Sequence, residues 1–131
     1  MSDKQEQAMA LRRQVVGDEY VDRWLESLDE FTGPIDELIT GFAWGSVWSR
    51  PGLDRAQRSL ITLAMLAALN RPGELEVHIR GAVNNGCSKE QIIEALLQTA
   101  VYAGIPAARD ALLLAREVLE NSSQDKPVDA D

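Results

Sequence analysis

The chain has 131 residues, enough for one domain and too few for two of ordinary size. Its hydrophobic fraction of 45% and charged fraction of 26% fit a globular fold that buries roughly two-thirds of its unfolded surface. A net charge of −8 argues against nucleic acid or an anionic membrane as partner, and a lone Cys87 excludes an internal disulfide and a cysteine cluster.

No repeat stands out, and alternating strand-like runs are scarce. A first helix is expected over 4–15 and ends at Gly17. A second covers 19–28, where Tyr20, Trp24 and Leu28 fall four apart beside Val21 and Leu25. Thr32-Gly33-Pro34 opens a third helix, to Trp48, because proline suits a first helical turn. Asp54 and Gln57 read as a cap pair for a fourth, to Asn70, which is apolar nearly all round and is expected at the bundle centre. Arg71-Pro72-Gly73 breaks the chain before a fifth helix, 74–85, which Gly86 stops. Ser88 and Gln91 repeat the cap pattern for a sixth, to Ala103; Gly104-Ile105-Pro106 precedes a seventh, to Glu120. The expected class is all-α, a compact bundle of six or seven helices forming one domain over 1–121, with a polar, acidic, disordered tail at 122–131.

Phosphate loops, paired cysteines, HExxH and GxSxG are all missing, so no nucleotide, flavin or metal cofactor is expected. The polar, unapolar start and the longest apolar run, 63–69, predict neither a signal nor a membrane span; a cytoplasmic location is the default expectation. Chemistry must then come from acid–base and electrostatic groups. His78 is the one histidine. At helical spacing Glu74, His78 and Asn85 share a face across the small Gly81 and Ala82. Imidazole titrates near neutrality, which suits proton transfer, but a surface pair between His78 and Glu74 satisfies the same spacing.

Arg80 lies about 200° round the helix from His78 and four residues after Glu76, so it reads as a solvent ion pair or as a residue reaching a subunit interface. Trp44 and Trp48, with Gly41 and Gly45 beside them, read as core or subunit packing, or as an apolar wall for a ring-shaped ligand. The glycines imply something packed close. Between Arg50 and Arg80 five arginines face three acids, a local positive excess that suits an anionic small molecule. Cys87 reads as a quiet structural thiol.

Several stretches together resemble the carboxymuconolactone decarboxylase family: Asp54-Arg-Ala-Gln-Arg58 through Leu69, Glu76-Val-His78-Ile-Arg80-Gly-Ala-Val-Asn84-Asn85-Gly86, Glu90 through Thr99, and Tyr102 through Asp110. Phe42-Ala-Trp44-Gly45 through Leu53 resembles the segment that precedes them in its decarboxylase branch. The likeness spans 18–120. The related alkylhydroperoxidase D-like proteins carry CxxC and a glutamate; the matching positions here are Arg71, Glu74 and Ser59, so their redox chemistry is missing.

The resemblance implies an alkylhydroperoxidase D-like fold and cofactor-free decarboxylation of 4-carboxymuconolactone to 3-oxoadipate enol-lactone in protocatechuate degradation. It also implies a homo-oligomer, commonly a hexamer. On that reading His78 donates a proton or binds the oxyanion, tuned by Glu74. Arg80 or Arg58 clamps a carboxylate, Trp44 and Trp48 exclude water, and Asn85 joins them in substrate binding. A related lyase or isomerase on another small lactone or keto acid, and a non-catalytic helical oligomer, are the alternatives.

Overall fold

The computed structural model describes residues 2–124, and among them there are seven α-helices, one π-helical stretch and no strand, as the all-α expectation holds. They form two compact units, one ending at Arg58 and one beginning at Ser59.

In the first unit α1 (Asp3–Val16) packs against α2 (Asp18–Glu26) and against the π-helix Ile39–Trp48. A reciprocal Ser2–Gln5 cap starts α1, and Ala8, Leu11, Arg12, Val15 and Val16 form its buried face. The burial of Arg12 is compensated by a carboxylate: its Nη1 donates to Asp36 Oδ1 at 2.9 Å and to Thr40 Oγ1 at 3.0 Å. Trp24 Nε1 donates to the same Asp36 oxygen at 2.8 Å. One acid thus satisfies a buried cation and a half-buried indole from two helices.

The third expected helix is two structures. After α3 (Gly33–Leu38), with Pro34 near its start, the backbone winds more loosely into the π-helix. At Gly45 a Cβ would meet the Thr40 carbonyl oxygen at 3.2 Å and the Ala8 Cβ at 3.5 Å. The carbonyl five residues back crowds this position while α1 lies at ordinary contact distance, and the crowding accounts for the glycine. Gly41 has nothing within 4 Å of its would-be Cβ, so close packing does not explain it.

In the second unit α7 (Ile105–Gln124) packs on α5 (Pro72–Asn84) and α6 (Lys89–Ala103), which also touch each other. The core contains Leu75, Ile79, Ala82, Ile92, Leu96, Ala111 and Val118. The Ser88–Gln91 cap forms as expected. Gly86 has φ +88°, and the Cys87 N–H bonds back to the Ala82 carbonyl at 2.9 Å, closing α5 in the left-handed manner foreseen.

The helix α4 (Arg55–Ala68) corrects an expectation. Its Asp54–Gln57 cap is present, but only Ser59, Leu63 and Ala67 are buried. Ile61, Met65 and Leu69, also four apart, are exposed, so the helix is apolar on both sides and covered on one. It ends at Asn70, a non-glycine at φ +56°, with the Arg71 N–H on the Leu66 carbonyl. Helix α7 carries on through 122–124, and the rest of the tail expected from 122 lies outside the described residues.

Candidate functional site

Pro72 and the Arg71 turn set the start of α5, and three turns of helix then fix which side chains point together. Glu74 and His78, one turn apart, do meet: Nε2 lies 3.7 Å from Oε2. That is an ion-pair distance, longer than a hydrogen bond. Their settings differ sharply. The Glu74 side chain is 57% exposed and that of His78 only 11%. Burial pushes the His78 pKa down to about 4, so the carboxylate beside it does not offset the loss of water, and the imidazole is neutral at neutral pH.

Asn85, the C-terminal cap of α5, is half-buried and donates from Nδ2 to Ser59 Oγ at 2.9 Å. Ser59 on α4 is fully buried. The position where redox relatives place a glutamate is thus a small hydroxyl that anchors an amide. The small Gly81 and buried Ala82 lie between the histidine and the amide along α5.

Arg80 is not brought to His78. It points to the exposed side of α5, 3.9 Å from Glu76, the solvent ion pair that its spacing allowed. Arg58 Nη2 donates to the Arg50 carbonyl at 3.0 Å, which ties it to the turn before α4. Trp44 and Trp48 do meet, with ring centroids 4.7 Å apart and planes at 31°. Trp44 is buried and Trp48 half-buried, so Trp44 has a packing role whatever else it does. Cys87 is buried, and a reactive thiol needs exposure. Among the described residues no group of three or more His, Cys, Asp or Glu could hold a metal ion.

Two polar groupings escaped the sequence reading. Arg12 and Asp36 stand 24 residues apart and Ser59 and Asn85 26, so no helical period links either pair. Only the comparison of Ser59 with the redox glutamate marked it out.

The sequence model described as the carboxymuconolactone decarboxylase family matches residues 34–117. The chain belongs to the carboxymuconolactone decarboxylase family. All seven candidate residues, from Trp44 to Asn85, fall inside the matched segment. The chain is 44% identical over 123 residues to a 4-carboxymuconolactone decarboxylase of Acinetobacter baylyi, covering 92% of each. It is likewise 44% identical over 116 residues to a nitrosuccinic acid decarboxylase of Metarhizium robertsii, covering 88% of this chain and 81% of that one. A 4-carboxymuconolactone decarboxylase of Pseudomonas putida is 47% identical over 47 residues, 34% of this chain and 98% of the other.

Proposed function

We propose that the chain decarboxylates 4-carboxymuconolactone to 3-oxoadipate enol-lactone and CO2. The observation that carries this is the near full-length likeness to a decarboxylase of that name, with a buried neutral histidine inside the matched segment. The reaction needs no external electron sink. The C–C bond to the leaving carboxylate breaks, its electron pair moves through the ring C=C onto the lactone carbonyl, and a dienolate forms. One proton, added at the carbon next to that carbonyl, completes the enol-lactone.

A neutral imidazole does not deliver that proton readily, but its N–H can hydrogen-bond the developing oxyanion. Two carboxylates on the bound substrate would favour the charged form of His78 and raise its pKa, since nearby opposite charge stabilises it. The histidine thus takes up a proton on binding and gives it to the dienolate carbon. Glu74 works in the same direction, and Asn85, held by Ser59, presents an amide on the same helix. The low resting pKa matters because an imidazolium formed only with substrate present does not have to be buried without it.

The substrate carboxylates need a cation. Arg80 and Arg58 are the candidates, by the planar match of guanidinium and carboxylate. Trp48, only half-buried where Trp44 is buried, is the better candidate of the two tryptophans for ligand contact. No helix among the described residues is long and apolar enough to cross a membrane, and we place the activity in the cytoplasm in a homo-oligomer.

A second reading is favoured by the equal identity to the nitrosuccinic acid decarboxylase. A nitro group can accept the electron pair of departing CO2 as a conjugated lactone carbonyl does, so the same histidine could serve either compound. Steady-state assays on both compounds decide. The proposal expects kcat/KM for the lactone at least about a hundredfold above that for nitrosuccinic acid, a gap that pocket contacts can supply. The reverse order selects the second reading, and turnover of neither sinks both.

A further inference from the structure

Two of the surfaces that neither the packing within a unit nor the chemistry at His78 uses are complementary in charge. One is a groove of about 680 Å³ between α6 and α7. Ile93, Leu97, Leu112, Leu113 and Leu119 line it, and Lys89, Arg109, Arg116 and Glu120 stand at its rim. The rim carries three cations and one acid in a chain of net charge −8, and Arg109 also reaches Asp110 at 3.5 Å.

The other surface is a ridge. Phe31, Ile35, Leu38 and Phe42 recur at helical spacing through the turn before α3, α3 itself and the first turn of the π-helix. All four are exposed, Phe31 by 83% and Phe42 by 63%. Exposed aromatics of this size dominate interfaces when covered. From 26 to 49 the sequence holds Glu26, Asp29, Glu30, Asp36 and Glu37 and no lysine or arginine. Asp36 is engaged with Arg12, whereas Glu30 and Glu37 are exposed beside Phe31 and Leu38.

We propose that the α6–α7 groove receives the Phe31–Phe42 ridge of a second copy of this chain. The apolar floor takes the aromatic and aliphatic side chains, and the basic rim faces Glu30 and Glu37. Charge decides against the simplest alternative. Two grooves placed face to face by a twofold axis would oppose Lys89, Arg109 and Arg116 to the same residues, and like charges across an interface cost several kcal/mol. Groove and ridge are different surfaces, so the contact is head-to-tail, and copies joined this way close into a ring when the rotation between them allows. The inference deepens the homo-oligomer part of the proposed function and does not depend on which acid is decarboxylated.

The test is sedimentation velocity of the full chain at several concentrations, with folding followed by far-UV circular dichroism. A groove variant carries Arg109→Glu and Arg116→Glu; a ridge variant carries Glu30→Arg and Glu37→Arg. Each alone should need at least about tenfold more protein for half-assembly, because two attractive pairs become repulsive. Mixed in equal amounts they should assemble again, since the acidic ridge of one meets the basic groove of the other and the reversed ridge meets the reversed groove. Restoration on mixing cannot come from a contact within one chain. The proposal is overturned by a parent that stays monomeric, by folded variants that assemble as the parent does, or by folded variants that stay apart when mixed. CO2 release by the parent, measured separately, tells failure of this contact from failure of the enzyme reading.

Discussion

The His78 side chain is almost wholly buried one helical turn from the exposed carboxylate of Glu74. Burial holds its pKa near 4 against an ordinary 6.5. The unfolded chain therefore binds more protons than the folded one between those values, and stability is full above pH 6.5 and falls as the pH drops toward 4. At about 1.36 kcal/mol per pKa unit, this one side chain removes about 3 kcal/mol across the window. We expect urea midpoints to rise from pH 4 to 6.5 in the parent and to rise less in His78→Gln; equal slopes would show that other groups govern the window. NMR of the imidazole offers a direct view. Its titration should lie near 4 in the ligand-free protein and move up when a non-reactive dicarboxylate binds, whereas an unchanged midpoint would remove the substrate-induced protonation. Helical spacing alone does not reveal this burial. Glu74 and His78 four apart read equally as a wet surface pair, and only the packing of α5 against its neighbours separates the two.

Elements were easiest to see where their ends carry local chemistry. The Ser88–Gln91 and Asp54–Gln57 caps, Pro34, Pro72 and Gly86 all act within a turn of themselves, so a linear reading finds them. The π-helix could not be found that way. Within it a Cβ at Gly45 would meet the Thr40 carbonyl oxygen and, 37 residues back in the sequence (45 − 8), a methyl group on α1. Gly45→Leu should cost about 1–3 kcal/mol by overpacking, while Gly41→Ala, with open space around it, should gain about 0.5 kcal/mol from the unfolded state. Chemical denaturation of both variants checks the contrast; equal effects would refute the close approach at Gly45. The same unit rests on Asp36. Asp36→Ala leaves the buried Arg12 guanidinium without its carboxylate, with only Thr40 still accepting from it among the side chains named above, and takes the acceptor from the Trp24 N–H; we expect a loss of about 3–5 kcal/mol, with a smaller one in Asp36→Asn. A change below about 1 kcal/mol would mean that water already reaches Arg12.

For the whole molecule, the candidate residues divide between the two compact units: Trp44, Trp48 and Arg58 in the first, and Glu74, His78, Arg80 and Asn85 in the second. Family likeness bound them together in the sequence because it reads a long stretch at once, whereas spacing along one helix could place only Glu74, His78 and Asn85. It did not foresee the exposed apolar side of α4 or the ridge at Phe31–Phe42, because an apolar residue looks the same in sequence whether its own chain covers it or not. As an enzyme the chain is proposed to decarboxylate its substrate with His78 as the group that handles the proton. The most direct measurement is CO2 release from freshly prepared 4-carboxymuconolactone by the parent and by His78→Ala at equal folded concentration. The parent should release CO2 rapidly and the variant should lose at least about a hundredfold in kcat, the size of a general acid–base contribution. Equal release by both proteins would contradict the role of His78, and no release by a folded parent would contradict the activity itself.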